Sequence, residues 1–226
     1  MDFIDSQWWR RRQRVVQTNL RIKDTDSIDP ERLAAQVKEL YGSALVFNVG
    51  GIYAWYPTDV PYHHRNEYLP AGRDLLAEVI AACHARGIKF IGRFDFSKAE
   101  DRAYQSHPEW FAYTASSRPM PVGAERPGEW SILYSTCINS GYWNEEMAFP
   151  ALKEALSRYD IDAVFLNAPF PTNCHCEICA DKYLKAYGNP LPQDDSQFEP
   201  SWRSLRMEWN ISAMKAAINE AKPDTP

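Results

Sequence analysis

No run in this 226-residue chain reaches the ~18 consecutive apolar residues that a membrane span needs. Basic residues are in no surplus either: 25 Lys and Arg stand against 30 Asp and Glu, a net charge of −5. Neutralising a phosphate backbone takes an excess of cations, so the charge balance argues against nucleic acid as the main partner. The one basic run, Arg10, Arg11 and Arg12 with Arg14, is short and precedes the first strand, and reads as a solvated terminal helix. Residues 1–5 are acidic and lack the charged-then-apolar layout of a signal peptide, which makes the cytoplasm the expected location. Neither a repeat of solenoid length nor a low-complexity tract is present. What is left is an ordinary globular composition, 45% hydrophobic and 24% charged, on a chain long enough to bury a substantial core.

Cysteine is scarce, five in all, yet Cys174, Cys176 and Cys179 fall within six residues in the spacing C-x-C-x-x-C. Thiolates are soft ligands that favour zinc, and such spacing lets neighbouring sulfurs converge on one tetrahedral ion. In a reducing compartment, clustered cysteines point to metal rather than to disulfides. Cys137, in a loop before a helix, is the expected fourth ligand of a closed structural zinc site. His175 is nearer but squeezed between two ligands, and Cys83, beside Val79 and Ile80 in a helix, reads as core. The plainer alternative is a set of packed free thiols.

Periodicity alternates between strand and helix. Strands are expected at residues 14–20, 44–49, 89–95 and 161–167. Asp29-Pro30-Glu31 opens a helix to about Tyr41, with Leu33, Val37 and Leu40 on one face. Further helices are expected at about 73–86, closed by Gly87, and at 144–159, 180–187 and 202–221, with a polar linker at 188–200. Residues 96–134 read as one long connection. Long segments follow the strands whereas the returns are short, the asymmetry of a (β/α) barrel whose one face carries the site. Eight strands and typically ~250 residues close such a barrel. With four βα units the expected fold is α/β, a partial TIM-type barrel that stops where a fifth strand would begin. An open doubly wound sheet is the alternative.

Chemistry-bearing residues gather after the strands. Tyr53, Trp55, Tyr56, His63 and His64 crowd the segment after the second strand. Flat aromatics beside donors and acceptors suit a sugar ring, although the same residues could pack the loop onto the barrel. Arg93 and Asp95 share a face of the third strand by the two-residue period, either orienting a substrate or forming an internal ion pair. Glycosidases need two carboxyl groups, about 5–5.5 Å apart when retaining and 6.5–9.5 Å when inverting. At the end of the fourth strand stands Asn167, which can hold a hydroxyl but cannot act as nucleophile or acid. Asp95 and Asn167 are therefore the candidate catalytic positions, and no paired-carboxylate motif is visible.

Residues 45–56, 92–98 and 135–139, together with the C-x-C-x-x-C, resemble a hypothetical glycosyl hydrolase family, the glycosyl hydrolase-like 6 type. That family is found at the N-terminus of α-L-fucosidase-like and β-galactosidase-like proteins. The likeness runs from about residue 10 to 221. It implies a (β/α)8 barrel, often followed by a β-galactosidase trimerisation-type domain, and hydrolysis of O-glycosidic bonds in carbohydrate. Residues 1–226 would then be the N-terminal part of a single glycosidase-like barrel domain. The cysteine spacing is also similar to the structural zinc site of some β-galactosidases, which implies Cys137, Cys174, Cys176 and Cys179 as ligands. Tyr53, Trp55, His63, His64 and Arg93 would line the sugar site. Related fucosidases carry an acidic nucleophile where this chain has Asn167, so a catalytically inactive carbohydrate-binding barrel is the rival expectation. An incomplete barrel exposes apolar strand edges, which predicts self-association.

Overall fold

A computed structural model describes residues 7–125, 131–168 and 171–226. The acidic residues 1–5 lie outside the described residues. In chain order the strands are β1 (Val15–Gln17), β2 (Ala44–Gly51), β3 (Lys89–Asp95), β4 (Lys98–Glu100), β5 (Pro121–Glu125), β6 (Ser131–Ser135) and β7 (Ala163–Leu166). The α-helices are α1 (Pro30–Glu39), α2 (Leu75–His84), α3 (Asp101–Ser106), α4 (Ala148–Arg158), α5 (Glu177–Tyr187) and α6 (Trp202–Ala221). They form two compact units, one of residues 1–94, 151–166 and 218–226, the other of residues 95–150 and 167–217. No helix among the described residues is long and apolar enough to cross a membrane.

The first unit is built on a parallel sheet in the order β1-β2-β3-β7. Strand order follows chain order without the reversal that marks a doubly wound sheet, so that alternative falls. β2 is buried along its length except at half-buried Asn48, as a strand covered on both faces should be. β3 alternates instead. Phe90, Gly92 and Phe94 are buried, whereas Lys89, Ile91, Arg93 and Asp95 are half-buried on the other face. On that second face Arg93 sits in register with Phe165 of β7, and Trp8, Ala44 and Ala163 form a small core with Trp9 and Ile91. On β7, Val164 N–H donates to the Pro226 carbonyl at 3.1 Å.

Local signals placed the helices well. The Asp29 carboxylate caps α1 by accepting from Arg32 N–H, and Pro30 takes the first helical position. The buried face of α1 is Pro30, Ala34 and Val37, not the expected Leu33-Val37-Leu40 stripe. Leu40 is 61% exposed because the helix ends there and Tyr41 turns away at φ 55°. Gly87 adopts φ 67° in the turn into β3, a conformation glycine takes freely. The basic run forms no terminal helix: a single 3-10 turn covers Trp8–Arg10, and Arg10, Arg11, Arg12 and Arg14 are exposed.

The second unit overturns the reading of residues 96–134 as one connection. It contains α3 and an antiparallel sheet in the order β4-β6-β5, pinned by the pairing of Ala99 with Tyr134 and of Ala124 with Ile132. α5 starts three residues earlier than expected, with Cys176 at its N-cap, and ends at left-handed Gly188. α6 has the expected bounds.

Candidate functional site

β3 runs into the candidate catalytic position. Asp95 Oδ1 accepts from Ser97 N–H at 3.0 Å and from Ser97 Oγ–H at 2.5 Å. Its other oxygen, Oδ2, accepts from Asn167 Nδ2 at 2.7 Å. Three donors thus fix a half-buried carboxylate, and the two expected catalytic positions are hydrogen-bonded to one another. Ala168, next in the chain, holds φ 47°, a region non-glycine residues seldom occupy and one that often accompanies functional turns. Two buried groups of the same unit escaped the sequence reading. Tyr142 is fully enclosed, and burial first, then the charges of Asp95 and Glu100, push its phenol well above the usual range. Glu100 is a carboxylate only 2% exposed. A single acid at a strand-to-helix boundary carries no pattern that would have marked it.

Of the two roles left open for Arg93 and Asp95, the internal ion pair is not formed. Arg93 Nη1 donates to Asn48 Oδ1 at 3.3 Å and to Asn19 Oδ1 at 3.5 Å, while Asp95 takes the neutral donors above.

The segment after β2 is folded tightly on itself. Tyr53, Trp55 and His63 are 3–5% exposed and His64 is half-buried. Trp55 packs edge-on against Phe47. His63 Nε2 accepts from Gly51 N–H at 3.2 Å, which leaves the proton on Nδ1, 3.5 Å from Thr58 Oγ1. Burial, opposed in part by the charge of Glu154, pushes the His63 imidazole down to about 4. Glu154 of α4 anchors the same segment. It accepts from Tyr56 Oη–H at 2.9 Å, Thr58 Oγ1–H at 2.6 Å and Asp59 N–H at 2.7 Å, and pairs with Arg158 at 2.9 Å. Of the two roles open to these aromatics, loop packing accounts for the buried surface of Tyr53, Trp55 and His63.

The cysteines converge as expected. Ligand atoms of Cys137, Cys174, Cys176 and Cys179 all lie within 4.8 Å of one another. Sγ–Sγ distances are 3.4 Å for Cys137–Cys179 and 3.7 Å for Cys137–Cys176, and none of the four is in a disulfide. Tetrahedral coordination with metal–sulfur bonds of about 2.3 Å places sulfurs about 3.8 Å apart, so the donor set fits a tetrahedral thiolate site. Donors also point at the sulfurs: Tyr113 N–H and Cys176 N–H at Cys174 Sγ, each at 3.5 Å, and Asn139 Nδ2 at Cys179 Sγ, at 3.3 Å. Such outer contacts stabilise anionic thiolate. Within the cluster, hydrogen bonding with Cys174 raises the Cys137 thiol, and the same interaction lowers Cys174. His175 is turned away, its Nε2 2.7 Å from Asp195 Oδ1. Cys83 is buried in α2, and its burial raises the thiol to about 11, as befits an inert core cysteine.

No curated protein matches the chain in sequence. Among solved structures, an α-L-fucosidase isoenzyme 2 from Paenibacillus thiaminolyticus aligns with a TM-score of 0.71 at 18% identity, covering 96% of this chain and 32% of that one. An α-galactosidase from Thermus thermophilus, solved with stachyose, aligns at 0.53 and 16% identity, covering 92% of this chain and 38% of that one. A hypothetical protein from Ruminiclostridium thermocellum aligns at 0.54 and 11% identity, covering 89% and 90%. The chain thus spans about a third of the length of the fucosidase and galactosidase it matches, and at these identities the likeness establishes the fold, part of a TIM-type barrel. The profile of the Hypothetical glycosyl hydrolase 6 family matches residues 29–168, more than half of the sequence, and the chain belongs to that family.

Proposed function

We propose that this chain is the N-terminal part of a glycoside hydrolase barrel that cleaves O-glycosidic bonds, with α-L-fucosides or galactosides as substrates. The observation that carries the reading is the Asp95 carboxylate at the end of β3, oriented by Ser97 and by Asn167 at 2.7 Å. A carboxylate fixed by donors is suited to attack an anomeric carbon or to stabilise an oxocarbenium-like transition state. Asn167 is then a positioning residue for Asp95 and a partner for a sugar hydroxyl. His64 and Arg93 would meet the sugar, with Tyr53, Trp55 and His63 shaping their segment from within. The cysteine cluster would hold a structural zinc ion that ties Cys137 to residues 174–179, and no chemical step passes through it. Half-exposed Val15 and Phe165 favour association between copies.

A second reading, a carbohydrate-binding barrel without turnover, is favoured by the amide at residue 167 and by the engagement of both Asp95 oxygens. Aryl α-L-fucosides, α-galactosides and β-galactosides offered to the chain separate the two. Turnover that Asp95→Asn lowers by about a thousandfold or more supports the hydrolase. Sugar-dependent thermal shifts without turnover select the binding barrel. A folded chain with neither response refutes both.

A further inference from the structure

Among the described residues, Arg93 is a cation with no carboxylate partner. Among the described residues its recorded hydrogen-bond partners are the side-chain oxygens of Asn19 and Asn48, both neutral and both reached through Nη1. Nη2 makes no recorded hydrogen bond, and Nε lies beneath the surface with no partner. In this same unit Arg73 meets Glu78, Arg86 meets Glu31 and Arg158 meets Glu154 and Asp59, whereas Arg65 donates to the carbonyls of Leu69 and Pro70. Arg93 has neither a carboxylate nor a carbonyl among its hydrogen-bond partners, although Asp95 stands two residues away on its own strand. Both residues lie on the half-buried face of β3, towards the carboxyl end of the strand, where ligands of parallel sheets collect.

The arrangement has a directional consequence. Two asparagine oxygens hold one end of the planar fork, and the Nε–Nη2 edge is directed to no other group among the described residues. That edge presents two parallel N–H donors, the geometry that matches an oxyanion bidentately. Half-buried charge is costly without a counter-ion, so the site favours a ligand that brings one.

We propose that Arg93 seats an oxyanion carried by the sugar, a carboxylate or a sulfate, so that the substrate class is an acidic glycoside. This rests on the carbohydrate reading above and narrows it. Uronic acids and sulfated sugars share the chemistry and differ in the group attached.

The test is calorimetric titration of the full chain with D-galacturonate, sulfated L-fucose, the neutral parents D-galactose and L-fucose, and inorganic sulfate. At least one acidic sugar is expected to bind tenfold or more tightly than its neutral parent. Arg93→Gln should abolish that preference, and Arg93→Lys, which keeps the charge without the fork, should retain only part of it. Galacturonate or sulfated fucose alone showing the gain identifies the oxyanion. Circular dichroism establishes that each variant is folded. Should Arg93→Gln fail to fold, Asn19→Ala, at an exposed position, should weaken the preference instead. Equal binding of acidic and neutral sugars, or a preference that survives Arg93→Gln, overturns the proposal and leaves the carbohydrate reading standing. Sulfate binding that depends on Arg93, with no sugar bound, upholds the oxyanion seat and refutes the carbohydrate reading. No binding of any ligand refutes both.

Discussion

His63 is the residue at which burial most changes chemistry. Enclosed and hydrogen-bonded as a neutral ring, its imidazole is pushed from 6.5 to about 4 by burial. The unfolded chain therefore binds a proton that the folded chain does not across this interval, so stability rises with pH. The neutral ring's contribution is complete above about 6.5, shrinks as pH falls and is gone near 4, a swing of about 3 kcal/mol. Urea denaturation between pH 4 and 7 measures it. Wild type should lose stability more steeply than His63→Gln, which keeps an acceptor for Gly51 N–H but does not titrate. Equal slopes would mean that His63 is solvated, and would reopen it to a ligand. Its packing role could not be read locally, since Glu154, which holds the same segment, is 96 residues from Thr58. The cysteines were legible for the opposite reason: three of the four clustered thiols fall in one short spacing.

At the level of elements, caps and glycines marked the helices because those signals are local, and short strands escaped because theirs are not. β4 has three residues, and β5 contains Pro121 and Gly123, which break the alternation by which a strand is recognised. Their pairing with β6 depends on partners as far as 37 residues away, Lys98 with Ser135. The two aspartate caps give a graded prediction. Asp29 makes one capping bond, to Arg32 N–H at 3.1 Å. Asp74 caps α2 through Ala77 N–H at 3.0 Å and also accepts Tyr159 Oη–H at 2.7 Å, joining α2 to the end of α4. Loss of a cap costs about 1 kcal/mol, and a hydrogen bond to a charged group about 1.5–3. Asp74→Ala should therefore lower the unfolding free energy by roughly two and a half to four times as much as Asp29→Ala. Equal losses in thermal or urea denaturation would show that the tyrosine bond contributes nothing.

For the molecule as a whole, the division into two units decides what a metal can do. The parallel-sheet unit has a conventional core in Leu45, Phe47, Val49, Phe90 and Phe94, none of it near a cysteine ligand in sequence. In the second unit the cysteines themselves are core: Cys137, Cys174, Cys176 and Cys179 pack with Ala112, Tyr183 and Trp202. A bound zinc ion would convert four clustered thiols into a compact anionic centre, and it would clamp residue 137 to residues 174–179. Preorganised N–H donors to Cys174 and Cys179 suit that charge better than they suit protonated thiols. Removing the ion with a chelator should then loosen one unit selectively. Amide hydrogen exchange is expected to speed up around residues 110–143 and 172–188 and to stay slow in β2, β3 and α2. Elemental analysis should give one zinc per chain, and Cys137→Ser should reproduce the exchange pattern of the stripped protein. A stoichiometry well below one, or exchange that a chelator leaves unchanged in both units, would reduce the cluster to four packed thiols and leave its hydrophobic neighbours to hold the loop.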